Sequence, residues 1–227
     1  MSGIARNLEA VRAAIAAAAR RAGRDPGGVR LVAVSKTVDL DRIRAAIDAG
    51  QDIFGENYLQ EAKAKIDALG RKVGWHLVGH LQTNKAKGAV EMFDLIHSVD
   101  RLKLAQALEA AAARLGKVQD VLIQVNQGGE DTKSGVTPDV APELLQEVAR
   151  LPHLRLRGLM SMPPWFPDPE EARPYVRALR ELRDRLRGLT GLPLAELSMG
   201  MSGDFEIAVE EGATLVRVGT AIFGRRR

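Results

Sequence analysis

The stretch VRLVAVSKTVDLDRIRAAIDAG, residues 29–50, contains one complete strand-and-helix unit. Its first seven residues, VRLVAVS, are mostly β-branched or apolar, which is typical of a buried strand. The segment DLDRIRAAIDAG has helical periodicity and ends at Gly50, a residue type that commonly closes helices. Between them lie Lys36 and Thr37, so an ammonium group stands at the end of an apolar strand.

The same unit recurs along the chain, with Gly70 and Gly116 closing later helical segments. Repeated strand and helix segments predict a single (β/α)8 TIM barrel over residues 1–227, of the α/β class. An open, doubly wound sheet is the alternative, but no glycine-rich dinucleotide fingerprint follows the first strand. The further strand candidates are DIFGE, WHLVGH, FDLIHSV, DVLIQVN, LRLRGLM, LAELSM and TLVRVG.

Residues 1–24 precede the first unit and form an extra N-terminal helix in this prediction. Ile4, Leu8, Val11 and Ile15 fall on one helical face, so we expect the helix to pack on the barrel. The segment lacks the uninterrupted apolar core of a signal peptide, and no apolar run reaches the roughly 18 residues of a membrane span. A cytoplasmic protein without a membrane partner is expected.

Composition excludes several other classes of site. The chain has no cysteine, which rules out disulfides, thiolate metal sites and cysteine nucleophiles. The four histidines, His76, His80, His97 and His153, lack metal-ligand spacing, so no metal site is expected. The net charge is +4, but aromatic residues are only 4% and basic residues alternate with acidic ones along helices. These features argue against a nucleic-acid partner.

In a TIM barrel the loops after the carboxyl ends of the strands build the site. Polar side chains at these ends are therefore expected to converge on one cavity. The strand-end residues are Ser35, Lys36, Glu56, Asn57, His80, Asn126, Met160 and Ser161, followed by SMGMSGD (198–204) and VRVGTA (216–221).

The last two of these loops predict an anion site. SMGMSGD combines two hydroxyls with glycines and leads directly into the helical segment DFEIAVEEG, while Gly219 and Thr220 open the last helix. Backbone N–H groups at a helix N-terminus, with hydroxyls beside them, bind anions, and barrels often bind a phosphate between these two loops.

A phosphate site across the barrel mouth gives Lys36 a chemical role. A lysine in a partly desolvated pocket becomes a nucleophilic amine that can form a Schiff base with an aldehyde or ketone. Two ligand classes fit: pyridoxal 5′-phosphate, or a phosphorylated sugar cleaved by an aldolase-like mechanism. Arg217, two residues before Gly219, favours the first class, because an arginine can donate to the pyridine nitrogen.

At these residues the chain resembles the YggS/PROSC family of pyridoxal-phosphate homeostasis proteins. The matching motifs occur in family order from about residue 30 to the end of the chain. They are AVSKT, FGENYLQEAKAK, WHLVGHLQTNK, HSVDR, TKSG, LRGLMSMP and LSMGMSGDFEIAVEEGATLVRVGTAIFG.

The resemblance implies a barrel like the N-terminal domain of bacterial alanine racemase, with pyridoxal 5′-phosphate as an aldimine on Lys36. Arg217 would face the pyridine nitrogen, and Asn57 would contact the ring's polar edge. The residues implied to hold the phosphate are Ser198, Met199, Gly200, Met201, Ser202, Gly219 and Thr220. Family members are regarded as monomeric carriers or regulators of the cofactor, which leaves apo forms of pyridoxal-phosphate enzymes as possible recipients.

The chain departs from the family pattern at two places and matches it at a third lysine. Val38 stands where many members carry a second lysine, and Arg225–Arg227 stand where some bacterial members have lysines. Lys133, in TKSG, matches a lysine common in the family. It is a candidate second cofactor site, with a solvated loop lysine as the alternative.

A carrier without catalytic residues is the function predicted, and a racemase-like enzyme is the main alternative. Racemisation needs two bases on opposite faces of the substrate, and Lys36 supplies only one. The partner base in alanine racemase is a tyrosine of a separate β-domain. The tyrosines of this chain are Tyr58, expected to pack in the first helical turn, and Tyr175.

Overall fold

Eight parallel strands close into a barrel in which the last strand pairs with the first. The computed structural model describes residues 3–128 and 134–224. Arg30 lies opposite Leu215 and Val32 lies opposite Arg217, which joins the two edges. The predicted (β/α)8 barrel is therefore confirmed, and the open sheet is wrong. The strands are β1 Arg30–Val34, β2 Ile53–Glu56, β3 Gly74–Leu77, β4 Leu95–Val99, β5 Gln119–Val125, β6 Leu154–Ser161, β7 Glu196–Ser198 and β8 Leu215–Val218.

Helices follow the strands and cover the outside of the barrel. Gly50, Gly70 and Gly116 have φ values of 79°, 74° and 61° at or beside helix C-termini, where the left-handed conformation suits glycine. Lys133 and Arg225–Arg227 lie outside the described residues. The helices are α1 Gly3–Arg21, α2 Leu40–Asp48, α3 Leu59–Leu69, α4 Ala86–Met92, α5 Leu102–Arg114, α6 Ala141–Ala149, α7 Arg173–Thr190, α8 Phe205–Glu210 and α9 Thr220–Phe223.

Alternation along the strands separates two apolar layers. Val32, Met160 and Leu215 belong to a small cluster inside the barrel. Ala33 and Val216, one position along their strands, belong instead to the large core between the barrel and the helices. Because side chains alternate between the two faces of a strand, residues two positions apart form inward-facing rows that lead to the barrel mouth.

The third strand is shorter than its sequence indicates. The apolar run WHLVGH predicts a strand up to His80, whereas β3 ends at Leu77. Gly79 packs so closely on β2 that a Cβ atom there would lie 2.5 Å from the carbonyl oxygen of Asn57. This close approach brings the loop after β3 over the end of β2.

The N-terminal helix α1 packs against α2, α8 and α9. Leu8, Val11 and Ile15 are buried on its apolar face, and each contributes roughly 1.5–3 kcal/mol through removal from water. The side-chain amide of Asn7 donates to the carbonyl oxygen of Ile222 at 2.8 Å. Within residues 3–128 and 134–224, no helix is long and apolar enough to cross a membrane.

Candidate functional site

A cavity of about 1200 Å³ opens at the carboxyl end of the barrel strands. This volume is slightly above the range of about 300–1,000 Å³ that is usual for small-molecule and cofactor sites. The predicted site residues that line it are Lys36, Asn57, Met201, Ser202, Arg217, Gly219 and Thr220. The cavity wall is therefore assembled from both ends of the chain.

Lys36 follows β1 on a sharply turned backbone. It is half-buried on the cavity wall, while the next residue, Thr37, has a φ of 62°. A positive φ is unusual for a β-branched residue, because its side chain crowds the backbone there. The Thr37 N–H donates to the Glu61 carboxylate on α3, which holds the turn in this conformation.

Behind Lys36 lies a second, buried lysine, Lys65 of α3. Its ammonium donates to the carbonyl oxygen of Ser35 at 2.6 Å, to Glu56 at 2.8 Å and to Glu61 at 2.6 Å. The Ser35 hydroxyl donates to the same Glu56 oxygen at 2.5 Å. Burial raises the pKa of Glu56, and the hydrogen bonds from Lys65 and Ser35 oppose that rise.

Arg217 enters the cavity from β8 with its guanidinium anchored in the barrel. One Nη donates to Ser198 Oγ at 2.6 Å and the other donates to the carbonyl oxygen of Ser161 at 2.8 Å. Burial lowers the pKa of Arg217 to about 10, so the group stays charged at neutral pH. Its orientation is set before any ligand arrives, since both acceptors belong to strands of the barrel, Ser198 to β7 and Ser161 to β6.

Two buried histidines extend this anchor through the barrel interior. His97 Nδ1 lies 2.8 Å from Ser198 Oγ, and His97 Nε2 lies 3.0 Å from His76 Nδ1. Burial lowers the pKa of His76 to about 3 and that of His97 well below its usual value, so both rings are neutral. With Arg217 donating to Ser198, the network is satisfied when Ser198 donates to His97 and His97 donates to His76.

The loops after β7 and β8 meet at an acceptor position. Ser202 Oγ accepts from the backbone N–H groups of Gly219 at 3.3 Å and Ala221 at 3.4 Å. The loop that carries Ser202 is held by Asp204, which accepts from the Met201 N–H at 2.6 Å. Two N–H groups thus point at one oxygen on the cavity wall, the arrangement that anion sites use.

The helices beside this position are short. The segments α8 and α9 have six and four residues. Their macrodipoles are correspondingly weak, because the dipole grows with the number of aligned peptide units. Anion binding at this end therefore depends on individual N–H and O–H donors.

The cavity mouth is formed partly by the proline-rich segment at residues 162–174. Met162, Pro164, Trp165 and Phe166 line it, and Trp165 is 78% exposed. Tyr58 does not pack in the first turn of α3 as expected, because it lies at the N-cap of that helix with 67% of its surface exposed.

Three predicted phosphate residues do not line the cavity. Ser198 lies behind Arg217, and Met199 is buried in the outer core. Gly200 has a φ of 90°, and its carbonyl oxygen accepts a hydrogen bond from the backbone N–H of Arg217 at 2.9 Å. The structure therefore places Met201 and Ser202 on the cavity wall with Gly219 and Thr220. The preceding residues of the SMGMS turn, 198–200, lie behind that wall.

Several residues around the cavity have no counterpart among the sequence-based candidates. Arg42 lines the wall with its guanidinium carbon 6.0 Å from the centre of the Phe223 ring, and Lys65 supports the wall from behind. Period-two alternation in β3 and β4 is the sequence pattern from which the inward orientation of His76 and His97 could have been predicted. Among the described residues, no group of three or more histidine and carboxylate side chains is arranged to hold a metal ion.

Comparison with known proteins identifies the family. Residues 6–227 match the family model for the alanine racemase N-terminal domain. The chain is 49% identical to the pyridoxal phosphate homeostasis protein of Pseudomonas aeruginosa, with 100% of this chain and 97% of that protein aligned. The chain belongs to the family of pyridoxal phosphate homeostasis proteins. The expected family membership is thus confirmed, and the homeostasis protein of Escherichia coli K12 is also 46% identical, with 100% of this chain and 98% of that protein covered.

Solved structures support the same family. PipY of Synechococcus elongatus PCC7942, solved with pyridoxal phosphate bound, is 39% identical, with a TM-score of 0.87 over 97% of this chain and 100% of that chain. Alanine racemase of Clostridium difficile is 15% identical, with a TM-score of 0.70 over 87% of this chain and 52% of the racemase. The racemase therefore shares the barrel fold alone.

Proposed function

We propose that this chain binds pyridoxal 5′-phosphate through Lys36 and serves as a carrier or regulator of the cofactor without turnover of its own. The observation that carries the proposal is a single cavity lined by a primary amine at Lys36, a guanidinium at Arg217 and an anion cradle at Ser202 and Gly219. The family's homeostasis proteins and the pyridoxal phosphate bound in PipY support the same ligand.

The residues present fit the three polar groups of the cofactor, which are its phosphate, its aldehyde and its pyridine nitrogen. Ser202 Oγ accepts from the Gly219 and Ala221 N–H groups, which is the role that a phosphate oxygen would take. Gly219 also lies against β1, where a Cβ atom would be 3.1 Å from the carbonyl oxygen of Val34, so a larger residue would crowd the cradle. The cavity volume of about 1200 Å³ leaves ample room for the pyridine ring.

Each residue is assigned a role. Lys36 would hold the cofactor covalently as a Schiff base, and Arg217 would donate to the pyridine nitrogen. Asn57 would contact the ring's polar edge. The phosphate would be held by Met201, Ser202, Gly219 and Thr220, with Ser198, Met199 and Gly200 supporting this loop and Arg217 from behind.

Arg217 favours storage over turnover. The bound cofactor acts as an electron sink most strongly when its pyridine nitrogen is protonated. A charged guanidinium cannot accept that proton and discourages its presence, and the contacts to Ser198 and Ser161 keep it in place. The cavity therefore binds the cofactor while weakening its ability to stabilise a carbanion.

A racemase-like activity is the second candidate, on the strength of the shared barrel. It needs a second base opposite Lys36. Tyr175 packs on Phe166 with ring centres 5.5 Å apart, and Tyr58 is exposed away from the cavity wall. Holo-protein incubated with alanine in deuterated water should therefore show no catalytic exchange of the α-hydrogen, and rapid exchange would favour the racemase.

We also propose that the protein acts in the cytoplasm as a monomer that delivers the cofactor to apo forms of pyridoxal-phosphate enzymes. The delivery test mixes loaded protein with such an apoenzyme in the presence of a scavenger of free cofactor. Activity that recovers despite the scavenger supports direct transfer. Recovery that the scavenger abolishes indicates release to solution instead, and light scattering reports the oligomeric state.

The first experiment is the visible absorbance of the purified protein before and after borohydride, followed by peptide mass mapping. A yellow band that bleaches, with a pyridoxyl adduct on Lys36, is expected. A colourless protein that takes up no added cofactor would contradict the proposal. If sugar phosphates are instead trapped on Lys36 without a prior chromophore, the aldolase interpretation is correct.

A further inference from the structure

The backbone on both sides of Lys36 is held by one buried ionic cluster, formed by Glu56, Glu61 and Lys65. Lys65 donates to the Ser35 carbonyl oxygen, immediately before Lys36, at 2.6 Å. Glu61 accepts from the Thr37 N–H, immediately after it, and from Lys65 at 2.6 Å. The cluster therefore forms hydrogen bonds with both of the peptide groups that flank Lys36.

Lys65 is the fully paired member of this cluster. Lys65 is 5% exposed and has three acceptors, one for each ammonium proton. The Glu56 side chain is completely buried and receives hydrogen bonds from Lys65 and from the Ser35 hydroxyl. The Lys65 charge is compensated by two carboxylates, which is the condition under which buried ions are tolerated, whereas Glu56 Oε2 has no hydrogen-bond partner among the described residues.

Stability alone does not account for this arrangement. Apolar residues of similar volume often replace a buried ion pair without loss of stability. Apolar side chains, however, cannot hold the Ser35 carbonyl or the Thr37 N–H in a fixed direction. The cluster instead determines where the chain turns after β1, and that turn includes the unusual positive φ of Thr37.

We propose that Lys65, together with Glu56 and Glu61, is a positioning residue that orients Lys36 for bond formation with an aldehyde. This inference rests on the proposed function. In that reaction the Lys36 nitrogen, as the neutral amine, and the aldehyde carbon form a carbon–nitrogen double bond, and the carbonyl oxygen leaves as water with the two hydrogens that the amine loses. The helix α3 thereby controls the covalent contact without touching the ligand.

The experiment separates orientation of Lys36 from the rest of the site. Pyridoxine 5′-phosphate carries an alcohol in place of the aldehyde, so it reports the ring and phosphate contacts alone. Lys65→Met is compared with Lys63→Met, which removes an exposed i,i+4 partner of Asp67 on the same helix. The readouts are the rate of appearance of the yellow band with pyridoxal 5′-phosphate and the dissociation constant of pyridoxine 5′-phosphate.

Lys65→Met should slow formation of the yellow band by about tenfold or more, because small misplacements of a reacting group are costly. Its affinity for pyridoxine 5′-phosphate should stay within about twofold of the parent, because Arg217 and the loops proposed to hold the phosphate lie on and after β7 and β8, away from α3. Lys63→Met should match the parent in both measurements. Equal losses for both ligands, or a parental rate in Lys65→Met, would overturn the inference.

Two controls keep the result interpretable. If Lys65→Met does not fold, Glu61→Ala decides the question, since Glu61 lies nearer the surface and its loss frees the Thr37 N–H. That variant should also slow the band selectively, and an unchanged rate would overturn the inference. A parent protein that forms no band at all would instead contradict the proposed function, which distinguishes the two failures.

Discussion

The two ends of the cavity are built with different chemistry. At the lysine end, charged and buried side chains hold the backbone, with Lys65 bound to Glu56, Glu61 and the Ser35 carbonyl. At the other end, neutral donors surround Ser202 Oγ. One end fixes the direction of a single side chain, whereas the other offers hydrogen bonds to an anion.

A binding protein built in this way can separate recognition of the anion from covalent attachment of the ligand. Backbone donors in small-residue loops recognise an anion whatever else the ligand carries. A covalent bond instead requires one nitrogen at a particular place. Substitutions at the phosphate end should therefore weaken aldehyde and alcohol ligands equally, and substitutions at the lysine end should affect only the aldehyde.

The largest expected effect is at Lys36. Lys36→Ala should abolish the yellow band and the borohydride adduct completely, because no other primary amine among the described residues lines the cavity. Pyridoxine 5′-phosphate should still bind with near-parental affinity, since Arg217 and the phosphate loops are unchanged. Absorbance and peptide mapping measure the first effect, and calorimetry measures the second. A yellow band that persists in Lys36→Ala, with the adduct on a different lysine, would contradict the proposal that covalent attachment takes place at the lysine end of the cavity.

The next largest effect concerns the loop that supports the phosphate end. Gly200 has a φ of 90°, and a Cβ atom there would lie 2.6 Å from the Ala208 Cβ. Gly200→Ala should reduce the free energy of unfolding by about 2–4 kcal/mol through backbone strain and overpacking.

Gly203 in the same loop provides the matched control. A Cβ atom at Gly203 would meet nothing within 4 Å. Gly203→Ala should therefore change the free energy of unfolding by less than about 0.5 kcal/mol. Urea unfolding of the two variants measures the difference, and equal losses would show that the close packing at Gly200 is not what stabilises the loop.

The buried histidine His76, which is linked to Arg217 through His97 and Ser198, should make the free energy of unfolding depend on pH. Burial lowers the pKa of His76 to about 3. At pH values between about 3 and the usual histidine pKa, His76 is therefore protonated in the unfolded chain and neutral in the folded protein. Stability should consequently fall as the pH drops from about 6.5 toward 3.

Replacing one histidine isolates this contribution. Between pH 7 and pH 5, the parent should lose about 2 kcal/mol more of its free energy of unfolding than His76→Gln does. Carboxylates such as Glu56 titrate in both proteins, so their contribution cancels in the comparison. Urea unfolding at the two pH values tests this, and identical losses would mean that the pKa of His76 is the same in the folded protein and the unfolded chain.

Much of the cavity wall follows from sequence pattern, because parallel strands bring their carboxyl ends to one side of a barrel. Lys36, Asn57 and Arg217 follow from the ends of β1, β2 and β8 on this ground. Alternation that continues from β7 also accounts for Met199, one of the three predicted phosphate residues that do not line the cavity. Ser198 faces inward, so Met199 faces the helices and packs in the outer core.

The supporting residues do not follow from pattern. Glu61 and Lys65 are spaced i,i+4 on α3, and so are Lys63 and Asp67. In the sequence both pairs are typical of a solvated helical face. Only the rotation of α3 against the barrel decides that Lys65 is buried beside Ser35 while Lys63 remains exposed, and long-range packing of that kind has no local signal.

The smallest predicted effect is the most direct test of the difference between the two ends of the cavity, because it is expected to be identical for two ligands. Ser202→Ala removes the hydroxyl beside the Gly219 and Ala221 N–H groups. Affinity for pyridoxal 5′-phosphate and for pyridoxine 5′-phosphate should each fall by about fivefold, the loss of about 1 kcal/mol for one hydrogen bond. Ser161→Ala is the matched control, since in the described part of the chain its hydroxyl has no hydrogen-bond partner. If Ser202→Ala weakened only the aldehyde, the two ends of the cavity would be coupled, and attachment at Lys36 would depend on how the phosphate is seated.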